Sequence, residues 1–146
     1  MAKSTFVYVS YIRTTQERLW SALTDDTAFM QQYWFGFRCE SGWTAGSPWK
    51  MVHPEGFVTD AGEILEADRP RRLVIRWRHA RNPELAAEGD SLMTMELEPA
   101  GSAIKLSITH SIEREHSQLI GAVSGGWPKI LSNLKSLLET GRIVLE

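Results

Sequence analysis

One cysteine, Cys39, is the whole thiol complement of this 146-residue chain, so no internal disulfide can form and a reducing, cytoplasmic setting is expected. No apolar run approaches the roughly 18 residues of a membrane span. The opening MAKSTFVYVSYIRTT lacks the small-residue cleavage site of a secretory signal. Charge of one sign is missing too. Sixteen Lys and Arg against eighteen Asp and Glu leave a formal net charge of −2, which gives the molecule as a whole no electrostatic reason to seek nucleic acid or an anionic membrane.

Familiar catalytic motifs are equally scarce. The histidines His53, His79, His110 and His116 show neither i, i+4 helical spacing nor a Cys-x-x-Cys partner, so no metal site is expected, and no cofactor. Residues 121–126 have the outer spacing of a phosphate-binding loop, but Trp127 stands where lysine is required. No Gly-x-Ser-x-Gly turn presents a nucleophile. Cys39 has no obvious cationic neighbour or helix N-terminus to activate it, and it reads as structural.

What is present describes one ordinary domain spanning residues 1–146, with 42% hydrophobic and 23% charged residues. Residues 6–12 are rich in β-branched and aromatic side chains and run into Thr14-Thr15-Gln16-Glu17, which has the Thr-x-x-Glu spacing of a capping box. Two short helices are then predicted, the first carrying Leu19, Trp20 and Leu23, the second Phe29, Met30, Tyr33 and Trp34. From Phe37 to Gly101, regular Gly and Pro punctuation leaves room only for strands of about 5–10 residues. Three strands alternate clearly: Leu73, Ile75, Trp77 and His79; Met93, Met95 and Leu97; and Ile104, Leu106, Ile108 and His110. On the opposite faces Arg72, Arg76 and Arg78 face Thr94, Glu96 and Glu98 as an expected ion-pair ladder. An anion-binding patch is the competing reading of the arginines at 69, 71, 72, 76, 78 and 81.

The last segment, 117–140, places Leu119, Val123, Trp127, Ile130, Leu131, Leu134, Leu137 and Leu138 on one helical stripe, closed by Gly141. A kink or break is expected at Pro128, which removes a backbone donor. The chain is therefore expected to be α+β, a curved antiparallel sheet of about six or seven strands around a long C-terminal helix, with two short helices after the first strand. A cavity between sheet and helix is the expected functional site.

Three stretches carry a family resemblance: Thr15-Gln16-Glu17-Arg18-Leu19-Trp20-Ser21-Ala22-Leu23-Thr24-Asp25, then Gly62-Glu63-Ile64-Leu65-Glu66, then GWPKILSNLKSLLETG at 126–141. Together they resemble bacterial proteins of the activator of heat shock protein 90 ATPase homologue family, within the START-related, Bet v 1-like superfamily. The resemblance covers residues 6–141 and implies a helix-grip fold. Superfamily relatives bind sterols, lipids, plant hormones or polyketides, and some cyclise or hydrate their ligand. The eukaryotic co-chaperone behind the family name carries an additional N-terminal domain, for which 146 residues leave no room, so the resemblance implies a pocket rather than chaperone activation.

Candidate ligand contacts are Trp49, Trp77, Met93, Met95, Ile108, Trp127 and Leu131, with His79 and His110 as polar handles. The plainer reading makes the tryptophans core and both histidines half-solvated rim residues. The preferred function is binding of a small apolar or aromatic molecule, by a monomer or homodimer, without catalysis. One alternative is a cyclase or dehydratase in which a pocket histidine, or a carboxylate such as Glu63, moves a proton. Another is a protein-interaction module, with residues 33–37, Tyr-Trp-Phe-Gly-Phe, either exposed or plugging the cavity's open end.

Overall fold

The computed structural model describes residues 2–146. The element order is β1 (Ser4–Ile12), α1 (Gln16–Leu23), α2 (Thr27–Tyr33), β2 (Arg38–Ser41), β3 (Pro48–Val52), β4 (Val58–Asp68), β5 (Arg72–His79), α3 (Pro83–Ala86), β6 (Ser91–Ala100), β7 (Ala103–Ile112) and α4 (Gln118–Thr140). The seven strands form one antiparallel sheet in the order β1-β7-β6-β5-β4-β3-β2. Register shifts at Met51/Val52 and between Ile64 and Glu66 interrupt the ladders. Such irregularities bend a strand and increase its twist, so the sheet curves around α4. The inward rows are those of the alternation: Leu73, Ile75, Trp77, Met93, Met95, Leu97, Leu106 and Ile108 are buried and join Trp127, Leu131 and Leu134 in one core.

Local chemistry sets the ends of the helices. The N-cap of α1 is Thr15, whose hydroxyl accepts the Arg18 amide at 3.1 Å. The expected capping box from Thr14 to Glu17 is therefore displaced by one residue, and Glu17 faces Arg69 instead. At the other terminus of the fold, Ser117 caps α4, and Gly141, at φ 80°, returns its amide to Leu137, a left-handed cap that glycine adopts without strain. Of the kink or break expected at Pro128, the break does not occur: α4 runs through it as one 23-residue helix. Its buried residues, Trp127, Leu131 and Leu134 among them, hold the helix on the sheet despite the missing donor.

The arginines are engaged by acids, though in a pattern other than a simple ladder. Arg72 meets Glu96 across β5 and β6, and also Glu66. Arg76 bridges Glu63 and Asp90, Arg78 pairs with Asp90, Arg69 with Glu17 and Asp25, and Arg71 with Asp68. Arg81 lies over the Phe57 ring. Thr94 and Glu98 are not partners of these arginines; in the β6–β7 register Glu98 stands opposite Lys105.

Candidate functional site

Between the sheet and α4 the interior is mostly full. A void of about 10 Å³ touches Cys39, Trp49, Trp77, Met93 and Met95, room for about one water and no ligand. The open space lies to one side of it. A pocket of about 200 Å³ is walled by Trp34, Met51, Asp60, Trp77, His79, Leu85, Leu119, Ala122, Val123, Gly126, Trp127 and Ile130. It sits where α3, the first half of α4 and the ends of β3 to β5 meet. Of the predicted contacts, Trp77, His79 and Trp127 line this pocket. Met93, Met95, Ile108 and Leu131 are core residues and Trp49 packs behind Trp77, so these side chains stand off its wall.

Gly62 explains how the tryptophan wall is built. It stands in register with Trp49 on β3 and Trp77 on β5, and a Cβ there would come within 1.7 Å of the Arg76 carbonyl oxygen. With no side chain on the middle strand, the two indoles close to 4.4 Å between ring centres. Trp77 in turn meets Trp127 edge-on at 5.9 Å, and Trp34 meets Trp127 at 5.4 Å, spacings at which aromatic pairs attract beyond simple burial.

Two polar systems sit in this apolar setting. His110, expected either as a polar handle for a ligand or at a half-solvated rim, is fully buried, which overturns the rim reading. Ser91 Oγ donates to the Trp77 carbonyl at 2.8 Å, so it accepts from His110 Nε2 at 2.9 Å. Trp127 Nε1 donates to His110 Nδ1 at 3.2 Å. Both ring nitrogens are satisfied, and burial pushes the imidazole down to about 4, so it stays neutral near pH 7. His110 is also absent from the pocket wall, and its hydrogen bonds tie β7 to β6 and α4.

The second system was not legible as a site in advance. Asp60 on β4 is buried, and its Oδ2 accepts Trp77 Nε1 at 2.7 Å and His79 Nδ1 at 3.1 Å. Asp60 stands opposite His79 in the β4–β5 register, so the pair is fixed by the sheet. Alternation backward from Ile64 through Gly62 puts Asp60 on the inward row, the one sequence signal that could have found it. Among the described residues, the buried side-chain atoms without a partner are Asp60 Oδ1 and Trp49 Nε1.

Other candidates fall elsewhere. Glu63 points away from the pocket, its Oε1 2.6 Å from Arg76 Nη2. Cys39 is buried, and desolvation pushes its thiol well above the usual range, which disfavours the nucleophilic thiolate. In the aromatic run at 33–37, Tyr33 is buried with its hydroxyl donated to the Ala22 carbonyl, Trp34 lines the pocket, and Phe35 is exposed. Among the described residues no group of three or more His, Cys, Asp or Glu could hold a metal ion, and no helix is long and apolar enough to cross a membrane.

Comparison with curated proteins returned no match. Solved structures do resemble the chain. The protein MLL2253 from Mesorhizobium loti superposes with a TM-score of 0.79 at 23% identity, covering 93% of this chain and 97% of that one. The Aha1 dimer from Colwellia psychrerythraea gives 0.73 at 20% identity, covering 94% and 98%. PFC0360w, an HSP90 activator from Plasmodium falciparum, gives 0.74 at 20% identity, covering 92% and 96%. At these identities the likeness speaks for the fold alone. The sequence itself goes further: residues 13–139 match the family described as Activator of Hsp90 ATPase homolog 1-like protein, and the chain belongs to that family.

Proposed function

We propose that this protein binds a small apolar or aromatic molecule in the pocket between α3, α4 and the sheet, and releases it unchanged. The reading assigns it no cofactor and places it in the cytoplasm. The observation that carries it is the composition of the wall, in which three indoles and a run of aliphatic side chains surround only two titratable groups, Asp60 and His79. Few convergent polar groups in an apolar cleft are the usual make-up of a small-molecule site. A cavity of roughly 150 Å³ holds benzene, so about 200 Å³ suits one or two rings and is too small to enclose a sterol.

Native mass spectrometry of freshly purified protein, followed by a thermal-shift screen of aromatic acids, phenols, flavonoids and lipids, tests the reading. A ligand at a hundredfold excess over Kd stabilises the fold by about 2.7 kcal/mol. Ala122→Phe, which places a ring at the pocket wall, should abolish the shift, and Trp127→Ala should weaken it more than Arg76→Ala does. Equal effects of the three substitutions, or no shift across the panel, would remove the reading.

A second reading, an interaction module whose partner is another copy of this chain, is favoured by Val7, Val9 and Tyr11. These stand 58%, 43% and 52% exposed on β1, an edge strand of the sheet. Light scattering behind size-exclusion chromatography decides it: a clean monomer sinks this reading and leaves the first intact.

A further inference from the structure

On the reading that the pocket holds an apolar ligand, we propose that the Asp60–His79 dyad selects a ligand carrying a hydroxyl donor, a phenol-like aromatic, which gives its O–H hydrogen bond to His79 Nε2. The argument begins with Asp60 Oδ2, which as a carboxylate oxygen can only accept. It already takes the Trp77 indole proton, so His79 Nδ1 must be the donor in their 3.1 Å contact. In the neutral ring the one proton is then on Nδ1, and the lone pair is on Nε2. Nε2 has no hydrogen-bond partner among the described residues, while the side chain is 18% exposed and lines the pocket. A buried carboxylate behind Nδ1–H also strengthens that lone pair as an acceptor, the arrangement by which second groups orient and polarise a histidine.

Charge narrows the ligand further. Asp60 and His79 are the titratable groups on the wall, and with a neutral imidazole they sum to one negative charge. A carboxylate ligand would meet repulsion from Asp60, and a purely apolar one would leave Nε2 without a partner against the pocket. A neutral aromatic alcohol meets neither cost.

Isothermal titration calorimetry with three probes of nearly equal shape tests this at pH 8: 2-naphthol, 2-fluoronaphthalene and 2-naphthoate. Wild-type protein should bind 2-naphthol about tenfold more tightly than 2-fluoronaphthalene, the value of one hydrogen bond to a polarised acceptor, and 2-naphthoate most weakly. His79→Phe, which keeps a ring on the wall, should bring the two neutral probes within twofold of each other. Asp60→Asn should shrink the gap as well, through the weakened acceptor. Equal wild-type affinities for 2-naphthol and 2-fluoronaphthalene overturn the proposal while leaving the apolar pocket standing, and need no variant to fold. Preference for 2-naphthoate also overturns it, because the ring would then be presenting a proton. Binding of none of the three overturns the pocket reading and this proposal together.

Discussion

Trp127 on α4 donates its indole proton to Nδ1 of His110 on β7, and that one bond decides the histidine's tautomer. With Nδ1 accepting, the ring proton is on Nε2, where Ser91 Oγ takes it. The helix is thus joined to the sheet by a polar tie as well as by apolar packing. Protonating His110 would place a second proton where the Trp127 N–H already points, and would bury a charge.

The pH dependence of stability follows from this. An unfolded histidine titrates near 6.5, the folded one at about 4 because burial disfavours the charged form. Between these values the unfolded chain binds the extra proton, so stability is full above about 6.5 and falls as pH drops toward 4. The loss expected from this residue is about 3 kcal/mol. Urea denaturation at half-unit steps from pH 7.5 to 4 measures it. His110→Phe should be less stable at neutral pH and should lack this part of the slope; an unchanged slope would assign the acid sensitivity to other groups.

Gly62→Ala tests the aromatic wall. Its Cβ would lie 1.7 Å from a backbone oxygen of β5, a clash that no rotamer change relieves. We expect a loss of about 3 kcal/mol or more, by the usual size of backbone overpacking effects, with a change in near-ultraviolet circular dichroism as Trp49 and Trp77 part. A neutral Gly62→Ala would mean that β4 and β5 separate at little cost.

Asn133 ties the chain's end to the core. Fully buried on α4, it accepts the Val144 and Leu145 amides through Oδ1 at 2.9 and 2.7 Å and donates Nδ2 to the Leu145 carbonyl at 2.8 Å. Asn133→Leu should cost about 2 kcal/mol and release residues 143–146, read as fast amide exchange at Val144 and Leu145. Protection retained at those two amides would show that the tail is held by other contacts.

Cys39 should be inert in the folded protein. Burial both hides the thiol and pushes its ionisation up, so a thiol reagent at pH 8 should react only at the rate of unfolding, and at once in denaturant. Rapid reaction under native conditions would contradict the packing around Trp49.

Much of the fold was legible because it is local. Alternation assigned the inward rows of β5, β6 and β7, and the 3.6-residue stripe closed by Gly141 assigned α4. Pro128 does not break the helix, since its cost there is read from propensity whereas its tolerance comes from the packing of Trp127 and Leu131. The pocket wall was legible only in part. His79 and Trp77 stand on it because they end an alternating row that faces the helix. For His110, in the same pattern two strands away, the half-solvated rim reading fails, because no periodicity says how far along a strand α4 extends its cover.

By itself, then, the amino-acid order determined which segments are strands and helices, which faces are apolar, and which family the chain resembles, since each of these is written in spacing along the chain. The tertiary structure alone decided that the interior beside Met93 and Met95 is filled, that the pocket opens toward α3, and that Asp60 backs His79. The physical reason is that these are consequences of register and of helix placement. A buried carboxylate meets a histidine 19 residues away only because two antiparallel strands align them, and that alignment depends on every other pair in the sheet.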